Sequence, residues 1–422
     1  MIKAALTGIK VVEFANMVSG PYCAKLLADM GADVIKIEPP QGDPARGYGP
    51  FPKSGPHPEC SGLFLYVNTS KRGVTLDLNH AEDLVAFKKL LKWADVLIDN
   101  HSPQVLENLG LGWESLKQLN PGLIYTSITP YGRTGPRTQV KGDELTIIHA
   151  AGLANLLPAR SVDINFPPVK LGGYAVGYHG AIAAALATIA LVFGREKTGK
   201  GHLIDISLQE VILNLICPLV TSTRYHKTTW SRVPDRPPAM GRMETSDGYV
   251  ILGAADDHHF RAFRELMGKP KWAEGDEWDD MQYRIHHLMD IAPMMEDWMR
   301  KQKKNEIHQR AAKRGIPIGP VNTAEDVMNS VQYAARGYFT EVEHPKAGKY
   351  RYAGWPYKMS ATPPRVNKPA PLLGQHNQEV FQDPSILNSG VQVSTEGEKN
   401  TKKGARSQND KLPLQGIRVL DF

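Results

Sequence analysis

Two acids placed side by side are the first groups in this 422-residue chain that could do chemistry. In Lys141-Gly142-Asp143-Glu144 they stand just ahead of a helix that begins near Leu145. A carboxylate there either caps the helix, accepting from its unpaired N–H groups and meeting the positive end of its dipole, or stays available as acid, base or nucleophile. A second candidate is Asp256-Asp257-His258-His259, whose side chains are all metal-ligand types. Consecutive helix residues project about 100° apart, so this run reads as a solvated helix start and no metal is expected. His149 and His179 lie within apolar patterns and read as satisfied core histidines.

The turn Asn16-Met17-Val18-Ser19-Gly20-Pro21 leads from a strand into a helix, where free backbone N–H groups receive phosphate. Glu38 closes the next strand, where dinucleotide folds place the acid that holds a ribose. Only one glycine stands where that fingerprint needs three, which argues against NAD and for another nucleotide-bearing ligand.

These groups need a scaffold, and the first third of the chain supplies an alternation. Apolar strands are predicted at Ile9 to Phe14, Asp33 to Ile37, Val74 to Leu78, Val96 to Ile98 and Leu123 to Ile128. Helical patterns fall between them at Pro21 to Met30 and Ala81 to Trp93. This spacing predicts βαβ units and a parallel sheet. An apolar helix over Ala181 to Phe193 precedes a strand at Leu203 to Ile206 and a helix at Leu208 to Leu219. An Arg-, Pro- and Thr-rich stretch, Tyr225 to Met240, then links to a second lobe with a strand at Tyr249 to Leu252 and helices at Phe260 to Met267 and Ile291 to Gly315.

The net charge of +6 is modest and its Lys and Arg are dispersed, which favours small anionic ligands over nucleic acid. Three cysteines are too few for a disulfide framework or a Cys-based metal site and fit a reducing cytoplasm. No signal-peptide pattern opens the chain. Ala181 to Phe193 is too short to span a bilayer, so no membrane partner is expected.

Leu414-Gln415-Gly416-Ile417-Arg418-Val419-Leu420-Asp421-Phe422 repeats Leu6-Thr7-Gly8-Ile9-Lys10-Val11-Val12-Glu13-Phe14, with five positions identical. The expectation is one copy of a tandem protein. The predicted layout is a large domain over 1–224, a linker and small domain over 225–320, and the rest of the large domain over 321–383. A flexible linker over 384–411 and the start of a second copy at 412–422 complete it.

The ordered set of motifs resembles the family III CoA-transferases, which include acyl-CoA racemases and carnitine-type CoA-transferases. The matching pieces are Gly8 to Phe14, Leu27 to Pro39, Asn68-Thr69-Ser70-Lys71-Arg72-Gly73 and Tyr131-Gly132-Arg133-Thr134-Gly135-Pro136. Thr198-Gly199-Lys200-Gly201, Gly315 to Val321 and Leu373-Gly374-Gln375-His376 follow, so the likeness runs from about residue 6 to 381.

The resemblance implies an α/β fold: a Rossmann-like large domain built from both chain ends, a smaller inserted α+β domain, and two subunits interlocked as a dimer. It also implies coenzyme A as acyl-CoA co-substrate, no permanently bound cofactor, and a carboxylic acid as acceptor. In that family an aspartate attacks the thioester, giving a mixed anhydride and then an enzyme-bound CoA thioester.

Gly173 occupies the aspartate's place here. The resemblance places CoA against Val18, Ser19, Leu76, Asn79, Asn100, His101 and Lys141. Pro39 and Asn108 stand where relatives often have arginines, and His101 where they usually have phenylalanine. The acid-base pair of the racemases maps onto Asp143 and Gly173, which argues against racemization in this copy. The leading expectation is therefore a degenerate copy, a pseudo-active site that supports a second, active one. The alternatives are an active half using Asp143 or Glu144, and a CoA-binding regulatory module.

Overall fold

The computed structural model describes residues 4–158, 165–227, 229–232, 240–389 and 413–421. Six strands, β1 (Lys10–Phe14), β2 (Asp33–Glu38), β3 (Arg72–Thr75), β4 (Val96–Asp99), β5 (Ile124–Thr129) and β6 (His202–Ser207), form one sheet in the order β3-β2-β1-β4-β5-β6. Every pairing in it is parallel. Side chains alternate across each strand, so successive residues feed two apolar layers. Val11, Val34, Val96 and Ile124 pack with the helices Ser19–Asp29 and Ala175–Thr198, whereas Val12, Ile35, Leu97 and Tyr125 pack with Ala81–Trp93. Both faces are covered, which is why these strands read as nearly continuous apolar runs.

Neighbouring strands β1 and β2 carry opposite charges inside. Glu13 on β1 and Lys36 on β2 are register neighbours, and Lys36 Nζ lies 2.9 Å from Glu13 and 2.8 Å from Asp43, all almost fully buried. Burial disfavours the ammonium, but Asp43 and Glu13 outweigh it and hold Lys36 charged above the usual lysine range. Lys71 also reaches Glu13, at 2.6 Å, and donates to the Pro21 carbonyl and Asn68. For Lys71 the desolvation dominates and its pKa is pushed down to about 8.

Edge strand β3 is covered by the returning chain. Ser70 N–H donates to the Lys368 carbonyl, His376 N–H to the Gly73 carbonyl, Gly73 N–H to His376 Nδ1 and Thr75 N–H to Asn377 Oδ1, at 2.9 to 3.0 Å. The hairpin β10 (Phe339–His344) and β11 (Gly348–Ala353) belongs to the same compact unit, which comprises Met1–Asn155, Val169–Trp230 and Tyr338–Phe422.

The second unit comprises Leu156–Pro168 and Ser231–Gly337. Its antiparallel sheet is β7 (Met240–Thr245), β8 (Gly248–Gly253) and β9 (Ile318–Val321) in that order, backed by Phe260, Phe263, Met295, Met299 and Ile307. The boundary read at 320 thus moves to Gly337, since β9 pairs with β8 through Val321.

Three other expectations change. The helix expected over Leu208 to Leu219 is two, Leu208–Asn214 and Cys217–His226, with Pro218 opening the second. The apolar helix spans Ala175–Thr198, and its 24 residues are long and apolar enough to cross a membrane by length and composition. One face of it nevertheless seats on the sheet, where Thr188 and Thr126 share a 2.7 Å hydrogen bond, while Ile182, Leu186 and Phe193 are exposed on it. Finally, residues 384–389 do not begin a linker: Asp383 caps the turn Pro384–Leu387 and Ile386 is buried in the core. Residues 390–411 lie outside the described residues.

At the far end, Ile417 N–H donates to the Leu414 carbonyl at 3.1 Å, as Ile9 N–H does to Leu6 at 3.1 Å. Gly8 and Gly416 share a left-handed backbone, φ 94° and 88°. The repeat therefore rebuilds the turn before β1, but residues 418–421 form no strand and pair with none among the described residues.

Candidate active site

The order of the sheet reverses between β1 and β4, and open α/β sheets bind ligands in the crevice beyond the carboxyl ends of such strands. A cavity of about 430 Å³ lies there, lined by Asn16, Met17, Val18, Ser19, Asn100, Pro130, Asp143, Glu144, Lys170, Tyr174, Val176 and Gly177, among others.

Its floor is the turn after β1. Met17 has φ 57°, a left-handed backbone that costs a non-glycine residue about 1–2 kcal/mol. Two side chains hold it there. Asp43 Oδ1 accepts from Met17 N–H at 3.0 Å, and Asn100 accepts from Asn16 N–H at 2.9 Å while donating to the Asn16 carbonyl at 2.8 Å and Ser19 Oγ at 3.0 Å. Burial works against the Asp43 carboxylate, but Lys36 and the N–H groups of Ala45 and Met17 keep it below the usual aspartate range. The helix Ser19–Asp29 starts with no side-chain cap and no acid in its first turn, so the positive end of its dipole faces whatever occupies the cavity.

The opposite wall carries the paired acids, and both are engaged. Asp143 caps the helix Glu144–Ala150: its Oδ1 accepts from Thr146 N–H at 2.8 Å and from Thr146 Oγ1 at 2.9 Å. These bonds hold its carboxyl below the usual range, making it a weak base. Glu144 caps a different helix, accepting from Val176 N–H at 2.9 Å and Gly177 N–H at 2.8 Å. Each carboxylate thus anchors a helix start.

Gly173 lies one residue before the N-cap Tyr174 of the helix Ala175–Thr198, exposed, with φ 67° and nothing within 4 Å of where a Cβ would be. Lys170 Nζ donates to its carbonyl at 3.1 Å. The turn has room for a side chain and carries none.

Of the residues expected to contact CoA, the structure gathers Val18, Ser19 and Asn100 at the cavity. Leu76 is a core residue just past β3, and Asn79 is exposed and bonded to Asp77. Lys141 is exposed one residue before the lining begins at Gly142. His101 follows β4 and stacks on Phe14 with ring centroids 4.3 Å apart. Glu38 is no ribose ligand here: Arg46 pairs with both of its oxygens, at 2.7 and 2.8 Å.

His149 and His179 bond the carbonyls four residues back, but neither is a core residue: His149 is exposed and His179 half-buried. The cluster at the start of the helix Asp257–Leu266 also differs from expectation, since ligand atoms of Asp256, His258 and His259 come within 4.8 Å of one another. Asp256 is the N-cap, with extended backbone, so its carboxylate folds back over the first turn to 3.4 Å from His259 Nδ1. Sequence reasoning missed Tyr48, Lys170 and Tyr174 in the cavity wall, because lining positions on loops leave no periodic signal.

The model of CoA-transferase family III matches residues 6–377, most of the chain. The chain belongs to that family. Among family III relatives, the succinyl-CoA:mesaconate CoA-transferase of Haloarcula hispanica is 31% identical over 388 residues, covering 90% of this chain and 97% of its own. The succinyl-CoA–D-citramalate CoA-transferase of Chloroflexus aurantiacus is 29% identical over 386 residues, covering 90% and 93%. A CAIB/BAIF family protein from Brucella suis has the same fold, with a TM-score of 0.79 at 27% identity over 90% of this chain and 98% of its own. The two transferase names describe transfer of CoA from succinyl-CoA to mesaconate or D-citramalate.

Proposed function

We propose that this family III chain binds an acyl-CoA thioester at the cavity beyond β1, β4 and β5 and supports the active carboxylate of a second homologous copy, without exchanging acyl groups itself. The observation that carries this is Gly173: the turn where the resemblance places the nucleophile has an open left-handed glycine. The two acids nearest to it in the cavity wall are committed to helix caps. Nucleophilic catalysis by a carboxylate requires one that is free to attack.

The repeat of the first-strand sequence at 414–422 and the exposed Ile182, Leu186 and Phe193 support a homologous partner. Some relatives are named as α and β subunits of one succinyl-CoA–L-malate CoA-transferase. The tandem layout resembles the dimethylsulfoniopropionate CoA-transferase/lyase, which makes dimethylsulfoniopropionate the first acceptor to assay.

The test is CoA exchange between an acyl-CoA and that acceptor, using the chain alone and joined to its homologous copy. Exchange is expected only in the joined protein. Turnover by the chain alone, abolished by replacing Asp143 or Glu144 in a folded variant, would establish the rival reading in which this half is itself the enzyme.

A further inference from the structure

The cluster of Asp256, His258 and His259 lies in the second unit, and none of its residues lines the acyl-CoA cavity. Its geometry departs twice from that of an ordinary helix start. Asp256 is the N-cap of the helix Asp257–Leu266, yet its side chain makes no cap hydrogen bond. An aspartate at that position ordinarily accepts from the free N–H groups of the first turn. Here the carboxylate turns toward His259, whose Nδ1 is sealed from solvent and has no hydrogen-bond partner. A buried ring nitrogen left in that state costs stability unless something else occupies its lone pair.

The 3.4 Å between Asp256 Oδ2 and His259 Nδ1 lies beyond the usual range of a hydrogen bond. It is the spacing of two ligands on one small cation. Zinc binds imidazole nitrogen at about 2.0–2.1 Å and carboxylate oxygen at about 2.0–2.2 Å, and the tetrahedral angle between such bonds sets the two ligand atoms about 3.4 Å apart. The His258 ring lies against that of His259 with centroids 3.9 Å apart, and ligand atoms of all three residues come within 4.8 Å of one another. Asp257 stays out of the set, because it pairs with the buried Arg284 at 2.9 Å. The Asp256 side chain is 69% exposed, so its carboxylate is free to swing as an ion enters.

We infer that Asp256, His258 and His259 form a binding site for a divalent transition metal of the zinc type, with water in the fourth position. Two imidazole nitrogens and one carboxylate oxygen suit zinc, nickel or copper, whereas magnesium and calcium take oxygen ligands. The helix dipole disfavours a cation at this end, at a cost of up to about fivefold in affinity. Three ligands outweigh that, since loss of even an outer partner of a metal ligand costs about 10–100-fold. The bound ion supplies the restraint that Asp256 withholds from the helix start, tying the residue before the helix to its first turn.

The experiment is calorimetric titration of zinc chloride into the purified, chelator-stripped full chain at pH 7.5, with thermal melts over the same zinc range, for wild type, Asp256→Asn, His258→Gln and His259→Gln. The chain has 14 histidines, so the readout is the one equivalent that the variants lose. Each substitution is expected to weaken that equivalent about tenfold or more, and the melting temperature to climb with zinc in wild type alone. Asp256 and His258 are exposed, so their variants should melt with wild type when no metal is present. Cobalt(II) in place of zinc should give wild type, and no variant, the strong visible absorption of a four-coordinate centre. Zinc binding that is equal in wild type and variants means an adventitious ion only and overturns the site, as does no binding by wild type.

Discussion

Gly173→Asp is the perturbation that tests the reading of the turn most directly. An added Cβ meets no atom within 4 Å, so the first carbon of the new side chain meets no obstacle. What remains is the left-handed backbone, φ 67°. Aspartate tolerates this conformation better than most residues, at a cost of about 1 kcal/mol relative to glycine. For a protein of this size that lowers the melting temperature by only about 1 °C. The new carboxylate sits at the start of the helix Ala175–Thr198, where its charge is favourable.

If the family chemistry is missing only this group, the variant attacks the acyl-CoA carbonyl and releases CoA as it forms the anhydride. The assay is intact-mass and peptide mass spectrometry after incubation with succinyl-CoA, with trapping by hydroxylamine. The expected result is an adduct confined to the substituted residue and absent from wild type. A folded variant that binds CoA yet forms no adduct would refute the idea that the glycine is what silences this copy. A stability loss beyond about 4 kcal/mol would refute the geometric argument itself.

Three further outcomes follow from the same structure. Glu144→Ala removes two charge-assisted bonds from the N-terminus of the long helix and is expected to cost about 2–3 kcal/mol in chemical denaturation. Gly180→Ala places a Cβ 2.0 Å from Leu208 Cδ2, so despite alanine's better helix propensity it is expected to destabilise by about 1–3 kcal/mol in the same assay. Lys71 binds its proton less tightly folded, with a pKa of about 8, than unfolded, with the ordinary lysine value of 10.5. The unfolded state therefore holds more protons between these values, and this residue's contribution makes stability rise with pH from about 8 to 10, by up to about 1.4 kcal/mol per unit. Folded Lys71→Met should flatten that rise in melts across the range, and an unchanged slope would count against a depressed Lys71.

The alternation of strand and helix signals was enough to place five strands, the helix Ala81–Trp93 and the turn at Asn16 to Pro21, because a one-residue slip in a strand would turn its apolar set away from the core. What escaped the sequence is pairing. Glu13 and Lys36 interrupt apolar runs, a visible sign of inward charges, yet only the parallel register shows that they face each other. Asp99 and His101 are two residues apart, but their shared hydrogen bonds depend on how the chain bends after β4. The committed caps of Asp143 and Glu144 were half legible: a helix start was evident, whereas the capture of Glu144 by a helix 31 residues downstream depends on tertiary packing.

The returning segment at 368–377 has a consequence for how the protein is made. Every strand of the parallel sheet is synthesised by residue 207, but the outer edge of β3 finds its partners only when Lys368, His376 and Asn377 have emerged. Until then the nascent chain presents an unpaired strand, the kind of surface on which chains join into aggregates. Proteolysis or premature termination ahead of 368 would leave that edge open permanently, turning a covered sheet edge into a template for self-association.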